Sequence, residues 1–439
     1  MIVYILLFVA LISLVVLPRF FKKQEANESI PKQEHPQNKQ QKQEIKESSL
    51  QKAKEDGVSF KQLKSQSKGG KKKSKGGSNP EHPAYVAGVK GFNSAVVDFD
   101  YYNFKDGAIL MVIAEENSVI KAVITRNIDK EEDYIQASQK LQAGQNLISI
   151  TVGPSLVTDS KKFSMIIAIA VFDHCSVVFQ ELSFADNKLK FTPLIKQMVN
   201  IHKMPVRQIR LSKKNPNLIV SCGDESDVTV KLWNIAGSLT EPVSSINTSQ
   251  IKHKYMTQGQ DLDYFAVAAK TTDTRIYQIV YNQGVMKGLE KVISLTHQKK
   301  EVLSVCFDQL SKYCVSTAKD QQMIIYQIDD YYKQAKLMLQ QQITTLDDLT
   351  LSSSCVVETS KNISYLFVAF ANGQNVEVYQ GTVAHDMKPL VNLLRIEDAQ
   401  LDNISQIQLF YDISKEEVFL ITSARQDFRV NVWKVPFQV

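Results

Sequence analysis

Four times in this chain an aspartate stands six residues before an aromatic that closes a short apolar run. The pairs are Asp173 and Phe179, Asp227 and Trp233, Asp320 and Tyr326, and Asp427 and Trp433. Three further runs close in the same way without that aspartate, at Val123, Tyr277 and Tyr379. Successive closing positions are 56, 54, 44, 49, 53 and 54 residues apart. A period of roughly 40–55 residues with several short strands in each unit is the spacing of a propeller blade. Seven units predict an all-β toroid of seven blades. Because each blade stacks on its neighbours, about 350 residues can form one domain without a single shared core.

Alternation and turn signals place three strands in the best-marked units. They run over 95–99, 108–114 and 119–123 in the first, and 147–152, 163–172 and 176–182 in the second. The third holds 206–211, 218–222 and 228–235, and the fifth holds 302–307, 313–318 and 323–328. The fourth spans 255–280, the sixth 346–379 and the seventh 404–435. Since the seventh ends on a third strand, closing the ring needs a strand from elsewhere. Tyr85–Val89 is placed to supply it, and such a clasp removes two open edges. The long stretches 127–145 and 329–342 read as insertions between blades and as natural partner sites.

Residues 1–21 predict a membrane span, 22–80 a linker and 81–439 the propeller. Met1–Leu17 carries no charge and is interrupted only by Tyr4 and Ser13. As a helix it is roughly 25 Å long, which suits a thin bilayer such as that of the endoplasmic reticulum. A cleaved signal peptide would show a basic start and a small-residue exit, and a mitochondrial presequence would show arginine and serine on one face. Neither pattern is present, so a signal anchor fits best. Arg19, Lys22 and Lys23 follow the apolar run, and the positive-inside rule then keeps the propeller in the cytosol. Asn27, Asn247, Asn362 and Asn403 begin N-x-[ST] triplets, so a shift on glycosidase treatment would reverse this topology.

Charge is divided along the chain. Residues 19–80 hold 16 Lys and Arg against 7 Asp and Glu, whereas the rest holds 36 against 39. The segment 24–79 is rich in Gln, Lys, Glu and Ser and cannot bury enough apolar surface to offset its ordering entropy. As a coil of some 56 residues it gives a tether on the order of 40 Å. Lys68, Lys71, Lys72, Lys73 and Lys75 form its densest basic run. That run reads either as a patch for anionic lipid or RNA, or as a soluble spacer.

The Asp-to-aromatic units resemble WD repeats. In that family a His before the first strand, a Ser or Thr in the second, the turn Asp and the Trp form a hydrogen-bonded chain. The resemblance gives these roles to His202, Ser221, Asp227 and Trp233, and again to His297, Ser316, Asp320 and Tyr326. It implies stability rather than catalysis, with the aspartate fixing the turn and orienting the imidazole. Elsewhere the pattern decays: Asn117 and Gly373 take the aspartate position in the first and sixth units, and Asp273 lies four residues before Tyr277. The order of parts also resembles the transducin-beta-like protein 2 family, as do the strings Ile201–Ile209, Ser244–Gln250 and Glu301–Gln322. This likeness implies an endoplasmic reticulum membrane scaffold acting near stress signalling and translation.

No phosphate loop, nucleophile elbow, zinc-protease motif or paired-carboxylate set stands out, and no cofactor is implied. The run Asp173–His174–Cys175 reads as a turn between strands rather than a nucleophile. Cys175, Cys222, Cys306, Cys314 and Cys355 show no metal spacing. The expectation is a non-enzymatic scaffold whose rims dock proteins. Two rivals stand beside it. One is an RNA- or ribosome-binding adaptor using the basic linker; the other is an exchange factor for a small GTPase.

Overall fold

The structure is a computed structural model that describes residues 81–437 apart from 142–145, 155–159, 194–195, 214, 225, 251, 260–263, 330–332 and 347–348. The expected anchor at 1–21, the linker and its basic run lie outside the described residues. Among those described, no helix is long and apolar enough to cross a membrane.

Seven antiparallel sheets stand in sequence order around a ring. The innermost strands are Val96–Asn103, Leu147–Val152, Val206–Leu211, His253–Gln258, Val302–Phe307, Leu351–Glu358 and Ile404–Asp412. Each packs beside the inner strand of the next blade, and that of blade 7 packs beside that of blade 1. The chain is a seven-bladed β-propeller.

Burial explains the strand order. The second strands Leu218–Gly223, Tyr264–Ala269 and Tyr313–Ala318 are buried at every residue, because blades press on both faces. Seven apolar clusters fill the described core, each lying between two neighbouring blades. Phe179 and Trp233, for example, share one cluster, so a closing aromatic of blade 2 meets that of blade 3.

One expectation needs correcting and another holds. The stretches 127–145 and 329–342 are not insertions, for they carry the outer strands Ile135–Lys140 and Ala335–Gln342. Ile135–Lys140 alternates between half-buried and exposed positions and Ala335–Gln342 buries only Leu339, so both lack the apolar run that marks the inner three. The outer strand of blade 7 is Tyr85–Val89, which pairs antiparallel with Val430–Val435. Tyr85 stands opposite Trp433, and Val89 opposite Val430.

Candidate functional site

Polar locks within the blades come first. In blade 3, His202 Nδ1 lies 3.0 Å from Asp227 Oδ2 and its Nε2 lies 2.8 Å from Ser221 Oγ. Trp233 Nε1 donates to the same Ser221 oxygen at 2.9 Å. An ionised carboxylate can only accept, so Nδ1–H donates to Asp227, and the Nε2 of the neutral ring accepts the Ser221 hydroxyl proton while that oxygen accepts from the indole. A neutral imidazole completes the chain. Burial lowers the His202 pKa, although the Asp227 contact works the other way. Burial would raise that of Asp227, but hydrogen bonds from His202 and Thr229 hold it well below the usual range. Gly223 makes room, since a Cβ there would sit 2.6 Å from Asp227 Cβ.

Blade 5 departs from the expected chain. His297 is exposed, its ring centroid 5.6 Å from that of Tyr326, and it bonds neither Ser316 nor Asp320. Gln298 takes its place, its amide donating to Ser316 O at 2.9 Å and Oγ at 3.2 Å. Asp320 caps its turn by accepting from Gln322 N at 3.3 Å. Glutamine recurs at this point. Gln250 of blade 4 donates to Thr271 Oγ1 at 3.0 Å and Asp273 Oδ1 at 3.2 Å. In blade 7, Gln400 donates to Thr422 Oγ1 at 2.7 Å, and Trp433 Nε1 reaches that oxygen at 2.9 Å. Asp427 accepts from Leu401 N at 2.7 Å. The signal was present in the sequence, since His202, Gln298 and Gln400 each stand four residues before an inner strand.

In blade 2, Asp173 lies in a 3-10 turn, Asp173–Cys175, where Asn146 N donates to its carboxylate at 3.3 Å. His174 and Cys175 hold φ values of 58° and 44°, and their carbonyls accept from Asn200 and Ile201. Burial, assisted by Asp227, raises the Cys175 thiol pKa, which disfavours the thiolate. This turn is a joint between blades 2 and 3.

The central channel opens at a mouth, a cavity of about 590 Å³ on the side where the inner strands begin. Its lining follows a rule. In six blades the pairing of the inner strand slips at its second residue, a β-bulge. The bulged residues are Val97, Ile148, Arg207, Lys254, Leu303 and Ser405, and all six line the mouth. Blade 6 pairs without a slip and contributes Leu351. A bulge re-aims its extra side chain, here toward the channel opening. None of these residues was singled out from the sequence, because nothing in a single strand marks its second position.

Further along the same strands the channel narrows to a cavity of about 60 Å³. Two carboxylates of blade 1, Asp98 on the mouth lining and Asp100 on the narrower cavity, tie three blades together. Asp98 Oδ2 accepts from Ser149 Oγ at 2.7 Å and Ile150 N at 3.0 Å, with Arg210 Nη1 at 3.8 Å. Asp100 Oδ2 accepts from Thr151 Oγ1 and Val152 N, both at 2.9 Å, and from Lys213 Nζ at 3.2 Å. Burial raises the Asp98 pKa; for Asp100 the Lys213 and Arg210 charges outweigh burial and lower it. Opposed shifts of this kind also occur in structural ion networks, and here each carboxylate is engaged by partners from blades 2 and 3.

No protein-family model matches the chain and no curated protein matches it. The propeller and its mouth therefore carry the functional reading.

Proposed function

We propose that this protein is a membrane-tethered, cytosol-facing scaffold that docks protein partners at the endoplasmic reticulum, in stress signalling or translation. The observation that carries the docking role is the mouth, where six bulged residues from six blades are turned toward one open cavity. A broad concavity with mixed apolar and charged lining is the form in which a rigid scaffold presents a binding site. The tether and its location rest on Met1–Leu17 with Arg19, Lys22 and Lys23, and on the likeness to the transducin-beta-like protein 2 family.

The test places a photo-crosslinking amino acid at Leu303 or Ser405 in the full chain in intact cells. One discrete protein adduct is expected from the mouth and none from a control at Val285, which is 68% exposed on a distant hairpin. Identical adducts from both positions would defeat the docking role. Protease protection of intact microsomes tests the topology, and the propeller should be digested without detergent.

A second reading rests on Lys68, Lys71, Lys72, Lys73 and Lys75, whose density suits RNA or the ribosome. Replacing all five by Gln should then release the protein from membrane-bound polysomes. Unchanged polysome association would remove this reading.

A further inference from the structure

The mouth is divided into sectors of different chemistry. Blades 1 and 2 supply Val97, Ile148 and the ring of Phe172, which is 53% exposed at a turn of blade 2. Blades 3 and 4 supply Arg207 and Lys254, joined where Arg207 Nε donates to the Lys254 carbonyl at 3.2 Å. Arg425 enters from a turn of blade 7. Acidic groups near the opening are already engaged. Asp98 faces Arg210, and Glu301 is shared between Lys254 at 3.3 Å and Lys319 at 2.8 Å. Glu116 is an exposed exception on the lining. Neither Arg207 nor Arg425 forms an ion pair among the described residues.

We propose that the mouth takes an extended acidic segment of a partner protein, its carboxylates against Arg207, Lys254 and Arg425 and a bulky apolar side chain against Val97, Ile148 and Phe172. The inference rests on the mouth being a docking surface and adds the chemistry of what docks. Arginine's fork pairs with a carboxylate through two parallel hydrogen bonds, and burying an apolar residue beside it removes competing water. A nucleic acid fits less well. Single strands need a continuous basic groove and several stacking aromatics, whereas this lining mixes polar and aliphatic residues, interrupts its basic groups with Glu116 and Asp98, and offers two aromatics, Phe172 and Tyr255.

The test uses the full-length protein in detergent micelles and fluorescence anisotropy. Four labelled probes are compared: an acidic 12-residue peptide with one Phe, its Ser counterpart, a Lys counterpart, and a single-stranded RNA of equal length. The acidic Phe peptide should bind at least tenfold more tightly than the Lys peptide and several-fold more tightly than the Ser peptide. The double variant Arg207→Glu with Lys254→Glu should weaken it at least tenfold. Both proteins keep the basic residues before position 80, so that difference isolates the mouth. Phe172→Ala should remove the preference for Phe over Ser while leaving the melting temperature unchanged. Undiminished binding by the double variant would overturn the proposal, as would tighter, Arg207-dependent binding of the RNA. Should Leu303 capture a protein in cells while no acidic peptide binds, this partner chemistry fails and the docking role stands.

Discussion

Tyr85 packs edge-on against Trp433, ring centroids 5.5 Å apart, and so the start of the propeller is locked to its last strand. Glu131 of blade 1 holds the same clasp from the other side, accepting from Gly88 N at 2.8 Å and pairing with Lys90 at 2.7 Å. Removing residues 81–89 should leave Val430–Val435 as a bare edge and promote self-association at micromolar concentration, read by light scattering. Tyr85→Ala, which keeps the strand, should cost about 1–3 kcal/mol in a urea titration and leave the protein monomeric.

His202→Ala should be among the most costly single changes, about 3 kcal/mol, because it opens a buried cavity and removes one donor from the Asp227 carboxylate and the acceptor of the Ser221 hydroxyl. His202→Gln should cost less, since Gln250, Gln298 and Gln400 serve the same place in other blades. The pH response follows from the lowered His202 pKa. Below about 6.5 the unfolded chain binds a proton that the folded imidazole resists. Stability therefore falls as pH drops through that range, and the glutamine variant should lose this component of the slope.

Asp427 occupies in blade 7 the place of Asp227 in blade 3, yet its pKa moves the other way. Burial pushes it up to about 6, with the Leu401 backbone N–H opposing. The reason lies in the partner, since Gln400 bonds Thr422 and makes no hydrogen bond to the carboxylate. Gln400→His should let an imidazole reach Asp427 and bring its pKa below about 4, measurable by the carboxyl carbon shift in an NMR titration. No fall relative to the native protein would contradict this.

Asp308 is raised to about 6 by burial, against hydrogen bonds from the backbone of Tyr313 and Leu310. Its folded value exceeds that of an unfolded aspartate, about 3.9, so ionisation costs stability that is absent below about pH 4 and complete above about pH 6. Asp308→Asn should therefore gain stability relative to the native protein as pH rises from 4 to 7. Parallel stability curves for the two proteins would contradict this.

Much of the fold was legible because its signal is apolar and local. The inner three strands of each blade pack on both faces, and runs such as Tyr313–Ala318 carry that fact in their composition. Apart from the clasp Tyr85–Val89, the outer strands were not legible. Ile135–Lys140 and Ala335–Gln342 have one face toward solvent, and their polar residues imitate loops. His297 misled for a related reason. It is the residue type that the repeat pattern calls for, but Gln298 is the one whose side chain turns inward.

The sequence by itself determined the number of blades, their order and the clasp, because a repeated interval between a turn aspartate and a buried aromatic survives substitution between them. Its aspartates mark architecture: Asp227 bonds His202, and Asp320 caps its own turn. Only the tertiary structure decided what faces the channel. In six blades the second residue of the inner strand reaches the mouth because a bulge there turns it inward, and these strands meet only when the ring closes. Arg207, Lys254 and Phe172 are far apart in the chain and ordinary in their local context. Closure of the ring brings them to one opening.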